Sequence, residues 1–204
     1  MPENNQIFNL LFNPFEILPR KLTLITGGAV VLLAGWLNSF SNTHFDGLLD
    51  IHSGLQSSLG LHLVEGFINI LIFTLLLFGL DKLVNKSTGN FGILFSQQTL
   101  ARWPYLIVSI AMLKLAAPLQ RYGQYLRFQN GLTNSSTELA VGDEISFYLS
   151  VAVMLLIMVW YVILSYRSFA GYIKASGWKT MILYSFGLIA AEVVSKIVVI
   201  SLIK

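Results

Sequence analysis

Five long apolar segments occupy most of this 204-residue chain and decide what it can fold into. Their predicted bounds are residues 22–40, 61–80, 103–119, 145–166 and 180–203. A hydrocarbon core about 30 Å thick needs about 20 helical residues at 1.5 Å each, so every segment is long enough to cross a bilayer. Charged residues make up only 11% of the chain, against about 25% in soluble domains. We therefore predict an all-α polytopic membrane helix bundle with five transmembrane helices, whose first partner is the lipid bilayer.

The connections between the segments are short, so the chain is predicted to form one membrane domain over residues 1–204. Residues 1–20 precede the bundle of residues 21–204 and read as an interfacial amphipathic helix, with polar side chains at helical spacing. Asn13 and Pro14 have the pattern of a helix cap and first turn, which predicts a break there. Residues 91–100 are too short to cross, and we expect them to form an interfacial or re-entrant helix on the cytoplasmic side.

Basic residues in the loops predict the orientation of the chain. One side holds eight of them: Arg20, Lys21, Lys82, Lys86, Arg102, Arg167, Lys174 and Lys179. The other side holds Arg121, Arg127 and Lys204. Because lysine and arginine near span ends are retained in the cytoplasm, we expect the N-terminus inside and the C-terminus outside, in a bacterial inner membrane. No basic cluster interleaved with aromatic residues is present, so nucleic acid is not an expected partner.

Small residues recur on the first and fifth segments. Gly28 and Gly35 lie two turns apart on the first, and Gly187, Ala191 and Ser195 recur every four residues on the fifth. Small side chains let helices approach closely in a membrane. These positions are predicted helix-packing faces, either within the chain or towards a membrane-protein partner or a second copy.

Four charged residues inside the apolar segments form a predicted intramembrane polar cluster. Glu192 and Lys196 are four residues apart and can pair on one helix. Glu65 and Lys114 both fall in the outer half, so a second pair across two helices is expected. Intramembrane charges usually face the bundle interior. The four residues either neutralise each other and fix helix register, or line a cavity for an ion, a proton or a headgroup.

The first outer loop contains a second cluster of polar side chains. His44, Asp46, Asp50 and His52 follow the pattern H-x-D-x-x-x-D-x-H, and imidazole and carboxylate are ligands that zinc and manganese accept. Loop histidines and aspartates also serve as helix caps, so a metal site is one of two interpretations of this stretch. No cofactor is otherwise indicated. There is no cysteine and no recognisable nucleophile, phosphate-loop or H-E-x-x-H motif, which argues against an enzyme.

The layout resembles that of the Ypt-interacting protein (Yip) family of five-span membrane proteins, particularly its bacterial branch. Four stretches carry the resemblance: FNPFEILPR (residues 12–20), NILIFTLLLFGLDKLVNKSTGNFG (69–92), RWPYLI (102–107) and VWYVILSYRSFAGYIKASGWKT (159–180). The resemblance implies a role in membrane trafficking or in assisting transport complexes. The acidic D-L-Y-G-P motif of eukaryotic members has no counterpart here, and the resemblance transfers no catalytic residue.

These observations lead to three hypotheses about function. The first is a non-enzymatic membrane scaffold or accessory protein that acts through helix contacts with itself or a partner. The second is a small transporter or lipid-handling protein that uses an intramembrane polar cavity. The third is a metal-dependent membrane hydrolase that uses the outer-loop cluster.

Overall fold

The computed structural model describes residues 9–54, 56–133 and 138–203, and these fold into a helix bundle with one small hairpin. The helices are α1 (Arg20–Ser41), α2 (Leu59–Asn85), α3 (Phe91–Ala101), α4 (Trp103–Gln129), α5 (Asp143–Ile173) and α6 (Trp178–Ile203). Strands β1 (Thr43–His44) and β2 (His52–Ser53) pair antiparallel between α1 and α2. Five helical stretches are long and apolar enough to cross a membrane, with α3 and α4 together forming one of them. The predicted fold class and the integral membrane character are confirmed.

Helix α3 belongs to the third span, so the prediction of a separate interfacial or re-entrant helix at residues 91–100 is wrong. Residues 91–129 form a nearly continuous helical stretch, in which Arg102 joins the two helices with φ −72° and ψ −7°. On α5, Gln98 Nε2 donates to Ser168 Oγ at 3.1 Å, and Gln98 Oε1 accepts from Ser165 Oγ at 2.6 Å. These contacts are made because α3 lies inside the bundle, where its polar side chain finds partners.

The N-terminal lead packs on α5. Residues 9–12 are helical, and a 3₁₀ turn at Pro14–Glu16 follows, as the predicted break requires. Trp160 donates from Nε1 to the Leu11 carbonyl at 3.1 Å, and its ring lies 5.7 Å from that of Phe12. Residues 1–8, the first part of the predicted interfacial helix, lie outside the described residues.

The predicted small-residue faces are mostly used inside the chain. A Cβ on Gly35 would lie 3.1 Å from the His62 carbonyl oxygen of α2, and one on Gly187 would lie 2.7 Å from Leu77. Ala191 and Ser195 are fully buried. A Cβ on Gly28, by contrast, would meet nothing within 4 Å. Of these five positions, four therefore serve packing within the bundle.

The connection between α1 and α2 is a re-entrant hairpin, which we define as residues 43–53. Its neck is the β1–β2 pair, and its tip carries Phe45 and Leu48, which are 5% and 0% exposed. The tip contacts Glu192, which lies eleven residues before the end of α6. At 1.5 Å per residue that is about 16 Å from the C-terminal end of the helix. The hairpin thus folds into the bundle rather than over its surface.

Candidate metal centre and the polar groups around it

Backbone polar groups at the tip of the hairpin are satisfied by side chains from three helices. Glu192 Oε2 accepts from the Leu48 and Leu49 amides at 2.6 and 2.9 Å. Asn69 donates to the carbonyls of Phe45 and Gly47 at 2.6 and 3.0 Å.

Tyr105 of α4 completes this set by donating its hydroxyl to the Leu48 carbonyl at 2.6 Å. Irregular backbone is tolerated at membrane depth only where the protein supplies such partners. One role of the buried polar side chains is therefore to hold the hairpin in place.

The intramembrane charges pair differently from the prediction. Lys196 contacts Glu192 at 3.7 Å, which is the predicted pair, but it also binds Asp50 of the hairpin at 2.8 Å. The predicted Glu65–Lys114 pair does not form. Lys114 lies exposed on α4, whereas Glu65 is 1% exposed and contacts histidines. The helix faces of the two residues diverge, so the four charges do not form one cluster.

His44, His62 and Glu65 form the most compact group of metal-ligating side chains among the described residues. One ligand atom from each lies within 4.8 Å of the others, and the side chains are buried, at 4%, 2% and 1% exposed. His44 Nδ1 lies 2.8 Å from Glu65 Oε1, and His62 Nδ1 lies 3.9 Å from Glu65 Oε2. His44 comes from β1, while the other two share a face of α2 at i, i+3 spacing.

The free nitrogen of His62 points to a ligand role. Its Nε2 shares a hydrogen bond with Ser57 Oγ at 2.9 Å, but its buried Nδ1 has no hydrogen-bond partner. A metal-binding histidine commonly uses one ring nitrogen for the metal and the other for an outer hydrogen bond that fixes the ring. Ser57 supplies that outer bond here.

Two glycines allow the histidines to sit where they do. A Cβ on Gly54 would lie 2.7 Å from the His44 ring, and a Cβ on Gly35 would press on the His62 backbone. Ser58 caps the start of α2 by accepting from the Leu61 amide at 3.3 Å. The close approach of α1, the hairpin and α2 therefore sets the spacing of the three ligands.

The predicted metal set of the outer loop is divided between two groups. The rings of His44 and His52 are stacked, with centroids 5.7 Å apart and planes 25° apart. The His44 and His62 rings are inclined by a similar 33°, with centroids 4.6 Å apart, so what separates His52 from the candidate centre is that its nitrogens do not join the compact group of ligand atoms. His52 instead lies 3.6 Å from Asp46 and 3.9 Å from Asp50. Burial raises the pKa of Asp46 above its usual range, and nearby His52 acts in the opposite direction.

An open groove of about 1480 Å³ reaches the candidate metal centre from the end of the bundle that carries the neck of the hairpin. Its walls include His44, Ser57 and Arg127, together with apolar side chains such as Met154 and Leu202. The groove gives a solute or an amphiphile a route to His44, while Glu65 and His62 lie behind it.

Several of these residues were not singled out from the sequence as ligands or positioning groups. Glu65 was assigned to the intramembrane polar cluster, and His62 was assigned to no site; the available signal was the three-residue spacing of the two residues at a helix start. Ser57, Asn69 and Tyr105 carried no signal, because their partners are distant in the chain.

Comparison of the chain with models of known protein families, with curated proteins and with solved structures finds no match. The resemblance to the Yip family therefore stays a prediction.

Proposed function

We propose that this chain is a multi-pass membrane protein that binds one divalent transition-metal ion at His44, His62 and Glu65. The observation that carries the proposal is the buried, unpartnered Nδ1 of His62 beside Glu65 and His44. Two imidazoles and one carboxylate suit zinc, and they also suit iron or manganese.

The number of ligands favours a reactive site over a structural one. Structural zinc sites have four protein ligands, whereas catalytic sites have three and leave a position for water or substrate. The three side chains here come with a groove at His44. Metal-assisted hydrolysis at the membrane face is the activity that such a set supports best.

The two other hypotheses have less support from the geometry. A scaffold that acts through small-residue faces would need those faces free, yet Gly35, Gly187, Ala191 and Ser195 pack inside the bundle. A transporter built on the four intramembrane charges would need them around one cavity, yet Lys114 is exposed on α4 and Glu65 pairs with histidines instead. A role in trafficking or in transport-complex assembly rests on the family resemblance alone.

We further propose that the metal centre faces the outside of a bacterial inner membrane. Arg102 is buried and drops out of the charge comparison, but seven basic residues remain at the end of the bundle opposite the hairpin. Retention of those residues in the cytoplasm places the N-terminus inside and the groove outside. A C-terminal alkaline phosphatase fusion should be active and a C-terminal green fluorescent protein fusion dark. The reverse pattern would invert the orientation.

The metal proposal is tested with purified full-length protein in detergent. After dialysis against zinc, we expect about one zinc per chain by elemental analysis for the wild type. His44→Ala, His62→Ala and Glu65→Ala should each lose most of it.

His52→Ala is the matched control, because His52 stacks on His44 but lies outside the proposed ligand set. It should retain the wild-type zinc content. Loss of zinc in His52→Ala with retention in His62→Ala would support the outer-loop set instead. Equal zinc content in all variants that elute as folded protein would refute both.

A further inference from the structure

A second site lies deeper in the bundle, around the guanidinium of Arg102. This side chain is 4% exposed, and it sits over the rings of Tyr105 and Tyr161, each 5.1 Å from the guanidinium carbon. Among residues 9–54, 56–133 and 138–203, no carboxylate lies within 4.0 Å of it. Arg102 is therefore a buried cation without a carboxylate counter-ion in the described part of the chain.

The unused donors of Arg102 lie on one edge of the guanidinium. Nε and Nη2 are both buried and have no hydrogen-bond partner. This edge presents two parallel N–H groups, the arrangement that binds the two oxygens of a carboxylate side by side. Leaving a buried charged donor unsatisfied is costly. Arg102 does hydrogen-bond the Tyr161 hydroxyl, but that contact leaves Nε and Nη2 without an acceptor.

A cavity adjoins Arg102 and has room for a small ligand. Its volume is about 20 Å³, whereas one water needs about 10–15 Å³ by this measure. Its walls come from α1, α2, α4 and the hairpin, and they include Phe45, His62 and Tyr105. The space therefore holds one or two waters, which correspond to a liquid volume of about 30–60 Å³, and most of its lining is apolar.

We propose that Arg102 and this cavity bind a small monovalent oxyanion of formate or bicarbonate size. Two oxygens of such an ion match the Nε–Nη2 edge, and its charge neutralises a guanidinium that otherwise lies buried at membrane depth. The proposal uses no residue of the metal set as a ligand, so it stands or falls independently of the proposed function.

The test measures anion binding to the full-length protein in detergent, with gluconate as the background salt. We expect ¹³C-formate or ¹³C-bicarbonate to show saturable line broadening, and the thermal midpoint to rise with the same concentration dependence. Arg102→Gln should abolish both effects. Arg102→Lys, which keeps the charge but not the paired edge, should bind about tenfold more weakly or worse.

Two further variants keep the test decisive if Arg102→Gln does not fold. Ala34→Val fills the cavity from α1 without changing the charge, and it should also abolish binding. Arg20→Gln removes an exposed arginine whose bond goes to Asn90, and it should bind like the wild type. The proposal would be overturned if binding persisted in Arg102→Gln or Ala34→Val. It would also be overturned if the wild type responded to chloride but to neither oxyanion, or responded to no anion at all.

Discussion

Glu192 holds the inner end of the re-entrant hairpin, and its removal tests whether the buried charges serve that purpose. One carboxylate oxygen accepts the amides of Leu48 and Leu49 at 2.6 and 2.9 Å. In Glu192→Ala both amides lose their acceptor at a depth where water does not replace it. Each buried unsatisfied donor costs about 1–3 kcal/mol, so docking of the hairpin should weaken by about 2–6 kcal/mol.

Glu192→Gln separates hydrogen bonding from charge. Both amides bond the same oxygen, so a glutamine carbonyl can accept both. What is lost is the difference between charged and neutral hydrogen bonds, about 1 kcal/mol for each bond and about 2 kcal/mol for the two. Lys196 keeps its contact with Asp50 at 2.8 Å. The glutamine variant should therefore lie between the wild type and the alanine variant.

The absence of cysteine from the chain makes a clean assay possible. Leu48→Cys places one thiol at a position that is 0% exposed, and maleimide labelling then reports hairpin opening. A loss of about 4 kcal/mol, the middle of the range, predicts labelling about a thousandfold faster in Glu192→Ala, and a loss of about 2 kcal/mol predicts labelling about thirtyfold faster in Glu192→Gln. Glu144→Ala, in the first turn of α5, is the control. Labelling in Glu192→Ala at the wild-type rate would refute the reasoning.

Three further changes have predictable outcomes. Gly27→Leu should greatly lower the thermal midpoint, because a Cβ there would lie 2.6 Å from the Leu100 amide nitrogen. The control Gly28→Leu should leave the thermal midpoint nearly unchanged, since a Cβ on Gly28 would meet nothing within 4 Å. Gln98→Leu should lower the free energy of unfolding by about 1–3 kcal/mol, because it leaves buried polar groups of α5 unpaired. Gln97→Leu removes none of those bonds and should lower the thermal midpoint less in the same thermal-unfolding experiment. Ser57→Ala should weaken zinc binding about 10–100-fold in a titration, because it removes the hydrogen bond that orients His62.

The spans were predictable from the sequence because their signal is local. Twenty apolar residues in a row need no knowledge of the rest of the chain to be recognised as membrane-spanning. The third span was placed too late because Arg102 interrupts its apolar run. In the structure Arg102 is buried against the rings of Tyr105 and Tyr161. Tyr161 is distant in sequence, so the sequence pattern alone assigns Arg102 to a loop.

The candidate site was only partly predictable, for a related reason. The sequence pointed to His44 and to the carboxylates, but it grouped them by proximity along the chain. The structure groups His44 with His62 and Glu65 because the hairpin turns inward beside α2. That turn depends on Asn69, Tyr105 and Glu192, whose contacts with the hairpin span many residues. Pattern analysis of a short polar loop cannot supply such partners.

The hairpin also links its own docking to the candidate metal centre. His44 lies on its neck, so a metal that needs His44 in place binds only the docked hairpin. Binding and docking are then coupled reciprocally. Under the proposed function, zinc should slow labelling of Leu48→Cys, and His52→Ala should not prevent this.

The same coupling predicts that Glu192 affects metal affinity. Glu192 bonds the hairpin amides and none of the three proposed ligands. Apparent affinity falls in proportion to the fraction of protein in the competent state. Once Glu192→Ala makes the undocked hairpin the major form, its zinc affinity should drop, while that of Glu192→Gln should stay near the wild type. An unchanged affinity in Glu192→Ala, with labelling at Leu48→Cys accelerated, would show that the metal is held without the hairpin and that His44 is not a ligand.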